Sequence, residues 1–438
     1  MRKRVVILGA GISGIGAALL AKKMNLDVFV SDNAKIDKKQ REILFNNKID
    51  WEDKGHTFKN IINADEVIKS PGISDKIELI QTLKNNHVPI ISEIEFAFRY
   101  TKSKVIAVTG SNGKSTTTLL LGHILKKAGL DVLIAGNIGI SFSAELAIRD
   151  YDYVVLETSS FQLDGINTFR PHIAILLNIS PDHLDRYNNK MSEYINSKFR
   201  ITENQTNTDF LIYNTDDLLL KNIFTNARMI PVSLNHFQEE GAFYKDRIII
   251  NLNNTTMTIQ ELSLQGQHNL FNSMAAAMAA RVLEIKDSVI SQAMTDFENL
   301  EHRLEYVLTV HGIDFINDSK ATNINSCWYA LESMSKDIVW IAGGVDKGNN
   351  YKLLEQIVEE KVKAIICLGM NNEKIINTFR GKVDTIVQAT NMNDAVEQSY
   401  TIAEKGDVVL LSPACASFDM FSNYEDRGVQ FKNEVRSL

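Results

Sequence analysis

The sequence predicts an α/β protein of three domains, and three observations lead there. Short runs rich in Val and Ile alternate with helical patterns through most of the chain, as βα units on parallel sheets do. Several of these runs end in glycine-rich or polar turns, the place where parallel α/β sheets hold ligands. The length of 438 residues suits about three domains of roughly 150 residues each. A composition of 44% hydrophobic and 23% charged residues is that of chains that bury ordinary cores.

In a first domain, residues 1–99, strands are expected at 5–8, 28–30, 67–69 and 89–92. Arg2, Lys3 and Arg4 before the uncharged run to Ala21 superficially resemble a secretory signal. Gly9, Gly11, Gly14 and Gly16 interrupt that run, and Lys22 and Lys23 lead straight into the next strand, so a strand, a turn and a helix are expected instead. No stretch has the roughly 18 apolar residues a membrane span needs, and no membrane insertion is expected. Helical residues 93–99 precede a polar linker at 100–104.

A central domain, residues 100–300, opens with strands at 105–108, 132–135, 153–157 and 173–178. Residues 210–262 carry short alternating strands and Asn turns, which predicts a small antiparallel sheet there. The Ala- and Met-rich helix at 269–283 is expected to be buried. A third domain, residues 301–438, has strands near 314–317, 338–342, 364–368 and 408–412.

Lys and Arg number 47 against 54 Asp and Glu, a net charge of −7, which gives no electrostatic footprint for nucleic acid or a membrane surface. Anionic ligands must therefore be held by local devices. Cys327, Cys367 and Cys415 are scattered, with no CxxC pair, so neither a disulfide framework nor a zinc site is indicated, and a reducing cytoplasm is the expected location. Cys415 has no histidine near it in sequence and is expected to be a small buried residue, not a nucleophile.

Gly9, Gly11 and Gly14 form GxGxxG between a strand and a helix, with Asp32 ending the next strand. Glycines there let backbone approach a pyrophosphate at a helix N-terminus, and the acid meets a ribose. Alone, this pattern fits a nicotinamide-dependent oxidoreductase, or a tight turn with no ligand. Ser70-Pro71-Gly72 is a second turn expected to open on the same sheet edge.

The strongest motif is Thr109-Gly110-Ser111-Asn112-Gly113-Lys114-Ser115-Thr116, between a strand and a helix. Backbone N–H groups of such a loop cradle phosphates, Lys114 neutralises charge on the γ-phosphate, and the Ser115 hydroxyl suits Mg²⁺. Glu157 closes an apolar strand and is a candidate metal ligand. His183 lies beside Asp182 and Asp185 after the next strand, a cluster that fits a metal site or a surface cap. Three polar loops follow strands of the last domain: Asn317 to Asn323, Gly343 to Gly348 and Ser412 to Ser417. Each alone is a well-capped loop; together they make a binding edge.

TGSNGKS without the first P-loop glycine, LETSSFQL, NISPDHLDRY with downstream Lys198, GQHNLFN, EHR, NDSKATN and LSPACASFDMFSNYEDRG together resemble the Mur ligases of bacterial peptidoglycan synthesis, over essentially the whole chain. The resemblance implies Rossmann-like N- and C-terminal domains around a central P-loop-type ATPase domain. It also implies an ATP-dependent amide ligase that adds D-glutamate to UDP-N-acetylmuramoyl-L-alanine through an acyl phosphate, acting as a monomer. Ile12, Ser13, Asp32, Ser70 and Gly72 then match contacts to the UDP-sugar, with Asn137 and Gln162 on its muramoyl-alanine side. Gly110 to Thr116, Asn269, Asn272, Arg303 and Asp318 match ATP contacts. Two Mg²⁺ ions fall to Ser115, Glu157, His183 and Lys198, the last carbamylated in the family. Lys114, His183 and Lys198 take the catalytic roles, and Thr322, Lys347, Ser417 and Tyr424 match the D-glutamate pocket. Asn33-Ala34-Lys35 departs from the family's uracil-contacting stretch. A folylpolyglutamate synthase-like ligase shares the central chemistry but lacks the front domain that the first hundred residues supply. The oxidoreductase reading leaves the Lys114 loop and Glu157 without a task, and retention of Lys114, Glu157, His183, Lys198 and Lys347 together argues against a silent ATP-binding regulator.

Overall fold

The computed structural model describes residues 2–264, 266–297 and 301–438; the expected domain boundary at residue 300 lies outside them. The chain divides into two compact units, residues 1–262 with 271–296, and residues 263–270 with 297–438.

The first unit holds two sheets. β1 (Arg4–Leu8), β2 (Asp27–Ser31), β3 (Asp50–Glu52), β4 (Glu66–Lys69) and β5 (Ile90–Ile91) form a parallel sheet in the order β3-β2-β1-β4-β5. Residues 4–23 are thus a strand, a turn and the helix Ile12–Lys23, as the interrupting glycines require. The second sheet takes β6 (Lys104–Thr109), β7 (Val132–Gly136), β8 (Tyr153–Glu157), β9 (Ile173–Leu176), β10 (Phe210–Asn214), β11 (Arg228–Ser233), β12 (Gly241–Tyr244), β13 (Ile248–Leu252) and β14 (Thr255–Ile259), in the order β14-β13-β12-β11-β10-β9-β6-β8-β7. It is parallel from β7 to β12. The antiparallel pairs β12–β13 and β13–β14 continue its edge, so the expected antiparallel region is hydrogen-bonded onto the main sheet and does not stand as a sheet of its own.

These two sheets share one core. A single apolar cluster runs from Val5, Ile7 and Val30 through Ile94 and Phe96 to Val105, Leu133 and Phe142. Two buried carboxylates on helix Glu93–Phe98 fasten it: Glu93 accepts from Ser141 Oγ at 2.8 Å and Ser143 N at 2.6 Å, and Glu95 accepts from the backbone N–H groups of Asn167, Thr168 and Phe169. Buried carboxylates satisfied by backbone donors resist separation, because an exposed partner would leave them unpaired.

The second unit has β15 (Glu305–Val310), β16 (Ile313–Asn317), β17 (Ile338–Ala342), β18 (Val362–Leu368), β19 (Thr385–Ala389) and β20 (Val408–Leu411), in the order β15-β16-β20-β17-β18-β19, with only β15 antiparallel. Helix Gln267–Val282 buries every side chain from Met274 to Ala280, in keeping with its lack of a polar face. No described helix is long and apolar enough to cross a membrane.

In each sheet of the first unit the outgoing connections of two neighbouring strands diverge, β1 from β4 and β6 from β9. Crevices for ligands open at the carboxyl ends of such strands, and the polar motifs sit there.

Candidate active site

Beyond β1, Gly9 adopts φ +92°, and a Cβ there would lie 2.5 Å from Ser70 Oγ. The two turns read separately in the sequence thus meet. Gly14 brings the helix onto the loop, since its own Cβ would sit 1.8 Å from the Gly9 carbonyl oxygen. Asp32 accepts from Ala10 N at 2.6 Å and Ala34 N at 2.8 Å, so its carboxylate already shapes the loop that it borders. Ile12 is exposed, while Ser13 and Ser70 are half-buried on this edge.

The loop after β6 is pinned from the neighbouring strand. Asn178 accepts from Asn112 N through Oδ1 at 2.9 Å and donates from Nδ2 to the Asn112 carbonyl, while Ser111 and Ser180 exchange bonds through the Ser111 hydroxyl. Gly113 has φ +82° and starts helix Lys114–Lys127; a Cβ there would come 2.2 Å from Asn272 Oδ1. Lys114 donates to the carbonyls of Gly110 and Ser111 at 2.8 and 2.7 Å, and Ser115 and Thr116 are buried in the first helical turn. A helix N-terminus with open glycine backbone, a lysine and two hydroxyls is built for phosphate.

Lys198, on helix Met191–Phe199, is 2% exposed and donates to the same Gly110 carbonyl at 2.8 Å. Burial, and then the Lys114 ammonium, drive it well below the usual lysine range against the pull of Asp182, Glu157 and Asp164. Glu157 ends β8, also 2% exposed. Its Oε1 accepts from Asn137 Nδ2 at 2.8 Å, and its Oε2 is buried with no partner among the described residues. An orphaned carboxylate oxygen near phosphate-binding backbone fits a divalent cation. Among the described residues no three His, Cys, Asp or Glu side chains converge. His183 has φ +53°, and its Nε2 lies 3.6 Å from Asp182 Oδ2 with its ring edge-on to Phe161. Gln162 accepts from Ser159 N and Oγ in a capping box, so any substrate contact falls to its amide nitrogen.

Sequence reading missed Arg186, inside the DHLDRY motif. It lies 4.5 Å from the centroid of the Phe161 ring and donates to the carbonyls of Pro71, Gly72 and Ile73 at 3.1–3.3 Å. It therefore ties the Ser70-Pro71-Gly72 turn to the segment that carries His183.

In the second unit, Asp318 follows β16 and is buried; it accepts from Ser412 Oγ at 3.0 Å and Leu304 N at 3.3 Å. Burial pushes its carboxyl up to about 7, opposed by Arg303, the Ser412 bond and Arg427. The loops after β17 and β20 are joined by Gly343 N to Pro413 O and by a two-way bridge between Val345 and Ala416. Thr322, Lys347, Ser417 and Tyr424 thus lie on connected segments at one sheet edge. Asn269 and Asn272, both 2% exposed, follow one turn apart on helix Gln267–Val282. Cys415 is 1% exposed and burial pushes its thiol up to about 11, as expected of a residue that is not a nucleophile.

Residues 4–79 match the family model described as MurD N-terminal domain, residues 108–280 that of the Mur ligase middle domain, and residues 302–415 that of the Mur ligase glutamate ligase domain. The chain is 52% identical to a UDP-N-acetylmuramoylalanine–D-glutamate ligase of Christiangramia forsetii and 51% identical to one of Bacteroides fragilis, with 100% of both chains covered in each case. Among solved structures it is similar to the UDP-N-acetylmuramate-alanine ligase MurC of Thermotoga maritima, with TM-score 0.64, 18% identity and 100% of each chain covered. A pseudomurein peptide ligase type C of Methanothermus fervidus is similar at TM-score 0.64 and 20% identity, over 99% of each chain. At such identities the structures speak for the fold, whereas the full-length sequence relatives and the three domain models settle descent: the chain belongs to the Mur ligase family.

Proposed function

We propose that this chain is an ATP-dependent ligase that joins the amine of D-glutamate to the terminal carboxylate of UDP-N-acetylmuramoyl-L-alanine, in the cytoplasm, as a step of peptidoglycan precursor synthesis. The observation that carries the chemistry is the convergence of Lys114 and Lys198 on the Gly110 carbonyl, with the charge of Glu157 acting on Lys198. The choice of substrates is supported by the full-length relatives named for that reaction.

The loop from Gly110 to Thr116 binds the phosphates of ATP, and Lys114 moves from its carbonyls to the γ-phosphate. Asn269, Asn272, Arg303 and Asp318 are assigned to the nucleotide. Ile12, Ser13, Asp32, Ser70 and Gly72 hold the UDP end of the sugar nucleotide; Asn137 and Gln162 hold its muramoyl-alanine end. The carboxylate attacks the γ-phosphorus, ADP leaves, and the resulting acyl phosphate is attacked by the D-glutamate amine with loss of phosphate. Phosphoryl transfer depends chiefly on positioning and on charge stabilisation. Ser115, Glu157, His183 and Lys198 would hold two magnesium ions, which offset the negative charge gathered by phosphate and carboxylate. Lys198 suits this role as a carbamate: a buried lysine driven towards its neutral form adds to carbon dioxide, loses one proton and becomes an anion. Thr322, Lys347, Ser417 and Tyr424 are assigned to D-glutamate, whose two carboxylates need a fixed cation and hydroxyl donors.

The test is phosphate release with ATP, UDP-N-acetylmuramoyl-L-alanine and a panel of amino acids. Release confined to D-glutamate is expected. Turnover with L-glutamate on a folate in place of the UDP-sugar would overturn the substrate assignment in favour of the folylpolyglutamate synthase-like reading.

A further inference from the structure

Arg427 is among the largest fully buried side chains of the chain, at 2% exposure. Among the described residues, its hydrogen bonds run to Ser319 and Cys415. Nε donates to Ser319 Oγ at 3.0 Å, one terminal nitrogen donates to the Ser319 carbonyl at 2.8 Å, and both terminal nitrogens donate to the Cys415 carbonyl at 3.2 Å. A guanidinium buried on neutral oxygens is costly, and burial lowers its pKa to about 10. Packing alone would be served as well by an apolar side chain of similar volume. What an apolar residue lacks is the rigid fork of donors that addresses several acceptors in one geometry.

Those acceptors belong to separate segments. Ser319 is in the loop after β16 that leads to Thr322, and its hydroxyl donates onward to the Tyr424 carbonyl at 2.8 Å, where helix Tyr424–Arg436 begins. Cys415 is in the loop after β20, two residues before Ser417. Its neighbour Ala416 exchanges backbone bonds with Val345 at 2.8 and 3.3 Å, in the loop that continues to Lys347. We propose that Arg427 is a positioning residue for the amino-acid substrate, fixing the three loops and the helix start in one register so that Thr322, Lys347, Ser417 and Tyr424 form a single pocket. This rests on the assignment of those four residues to D-glutamate. Asp318, assigned to the nucleotide, has anchors of its own in Ser412 and Leu304, so loss of the fork acts on the amino-acid side first.

The experiment compares wild type, Arg427→Lys and the milder Ser319→Ala. Three quantities are measured: the KM for D-glutamate, the KM for ATP, and formation of ADP from ATP and UDP-N-acetylmuramoyl-L-alanine without amino acid in a single-turnover assay. An ammonium lacks the rigid planar fork that holds Ser319 and Cys415 in one geometry, so Arg427→Lys should raise the KM for D-glutamate about tenfold or more while the other two quantities change less than about twofold. Ser319→Ala, which keeps the fork on Cys415, should shift the same KM in the same direction by about two- to fivefold. Parallel loss in all three quantities, or an unchanged KM for D-glutamate in both folded variants, overturns the positioning role. If Arg427→Lys does not fold, Ser319→Ala alone decides. A wild-type enzyme without D-glutamate-dependent turnover would instead overturn the substrate assignment, a separate result.

Discussion

Asn137 and Glu157 are joined twice: the Asn137 side chain donates to Glu157 Oε1 at 2.8 Å, and the Asn137 backbone N–H donates to the Glu157 carbonyl at 2.9 Å. The ends of β7 and β8 are drawn so close that a Cβ on Gly136 would lie 2.2 Å from that same carbonyl oxygen. One carboxylate oxygen is thus fixed by a neutral donor and the other is left bare for a cation. Removing a donor from a buried group costs about 1–3 kcal/mol. Asn137→Ala should therefore raise the magnesium concentration for half-maximal phosphate release about tenfold, and Glu157→Gln should lower kcat about a hundredfold at any magnesium concentration. A magnesium titration of both variants checks this; an unaltered magnesium dependence in folded Asn137→Ala would show that the pair does not act through the metal.

Lys198 offers a chemical test. If its carbamate supplies a ligand charge, Lys198→Ala is inactive and a short carboxylic acid restores part of the rate by placing an anion in the same cavity. Enzyme equilibrated with ¹³C-bicarbonate should show one carbamate carbon signal, absent from Lys198→Ala. An unmodified Lys198 in fully active enzyme would sink the carbamylation proposal. Burial and Lys114 lower the pKa of this lysine, which is what the carbamate test would detect as reactivity.

Asp318 makes stability depend on pH. Its carboxyl is raised from 3.8 to about 7 in the folded chain, chiefly by burial, so the folded form holds the proton more tightly than the unfolded one. Its contribution is fully present below about pH 4 and is lost as pH rises through 7, by about 4 kcal/mol at most. The melting temperature should fall between about pH 4 and 7 more steeply in wild type than in Asp318→Asn, whose side chain has no charge to bury. Equal slopes in calorimetry would show that Asp318 ionises as freely in the fold as outside it.

Much of this was legible in the sequence for a physical reason. Central parallel strands are buried on both faces, so β1, β6, β8, β17 and β20 announce themselves as apolar runs, and the glycine and Lys114 motifs fall directly after them. Three edge strands carry no such signal: β3, β15 and β19 are short or half-buried, and none was anticipated, whereas the edge strands β5 and β7 were. The antiparallel strands β12 to β14 fall within the alternating stretch of residues 210–262, but their attachment to the main sheet did not show, because it depends on backbone pairing. Arg186 and Arg427 were unreadable for a related reason. Most of their hydrogen bonds run to backbone carbonyls, which every residue possesses, so little in the sequence marks those bonds. Glu157 was readable as a candidate ligand because its place at a strand end is itself a sequence feature.

Arg186 yields the remaining prediction. Its guanidinium spans three consecutive carbonyls, of Pro71, Gly72 and Ile73, and packs on Phe161, whose ring also contacts those of His183 and Tyr187. The turn assigned to the sugar nucleotide is thereby set relative to the residues assigned to the reacting carboxylate. Arg186→Ala keeps the phosphate loop intact, because Asn178 and Ser180 hold that loop independently. The variant should bind ATP normally and show a KM for UDP-N-acetylmuramoyl-L-alanine raised about tenfold, corresponding to about 1.4 kcal/mol. Arg186→Lys should recover less than half of that loss on the logarithmic scale, since an ammonium lacks the planar guanidinium that lies on the Phe161 ring while donating to the turn. Isothermal titration with each ligand separates the two affinities, and an equal fall in both would mean that the arginine supports the whole unit and not the sugar-nucleotide turn.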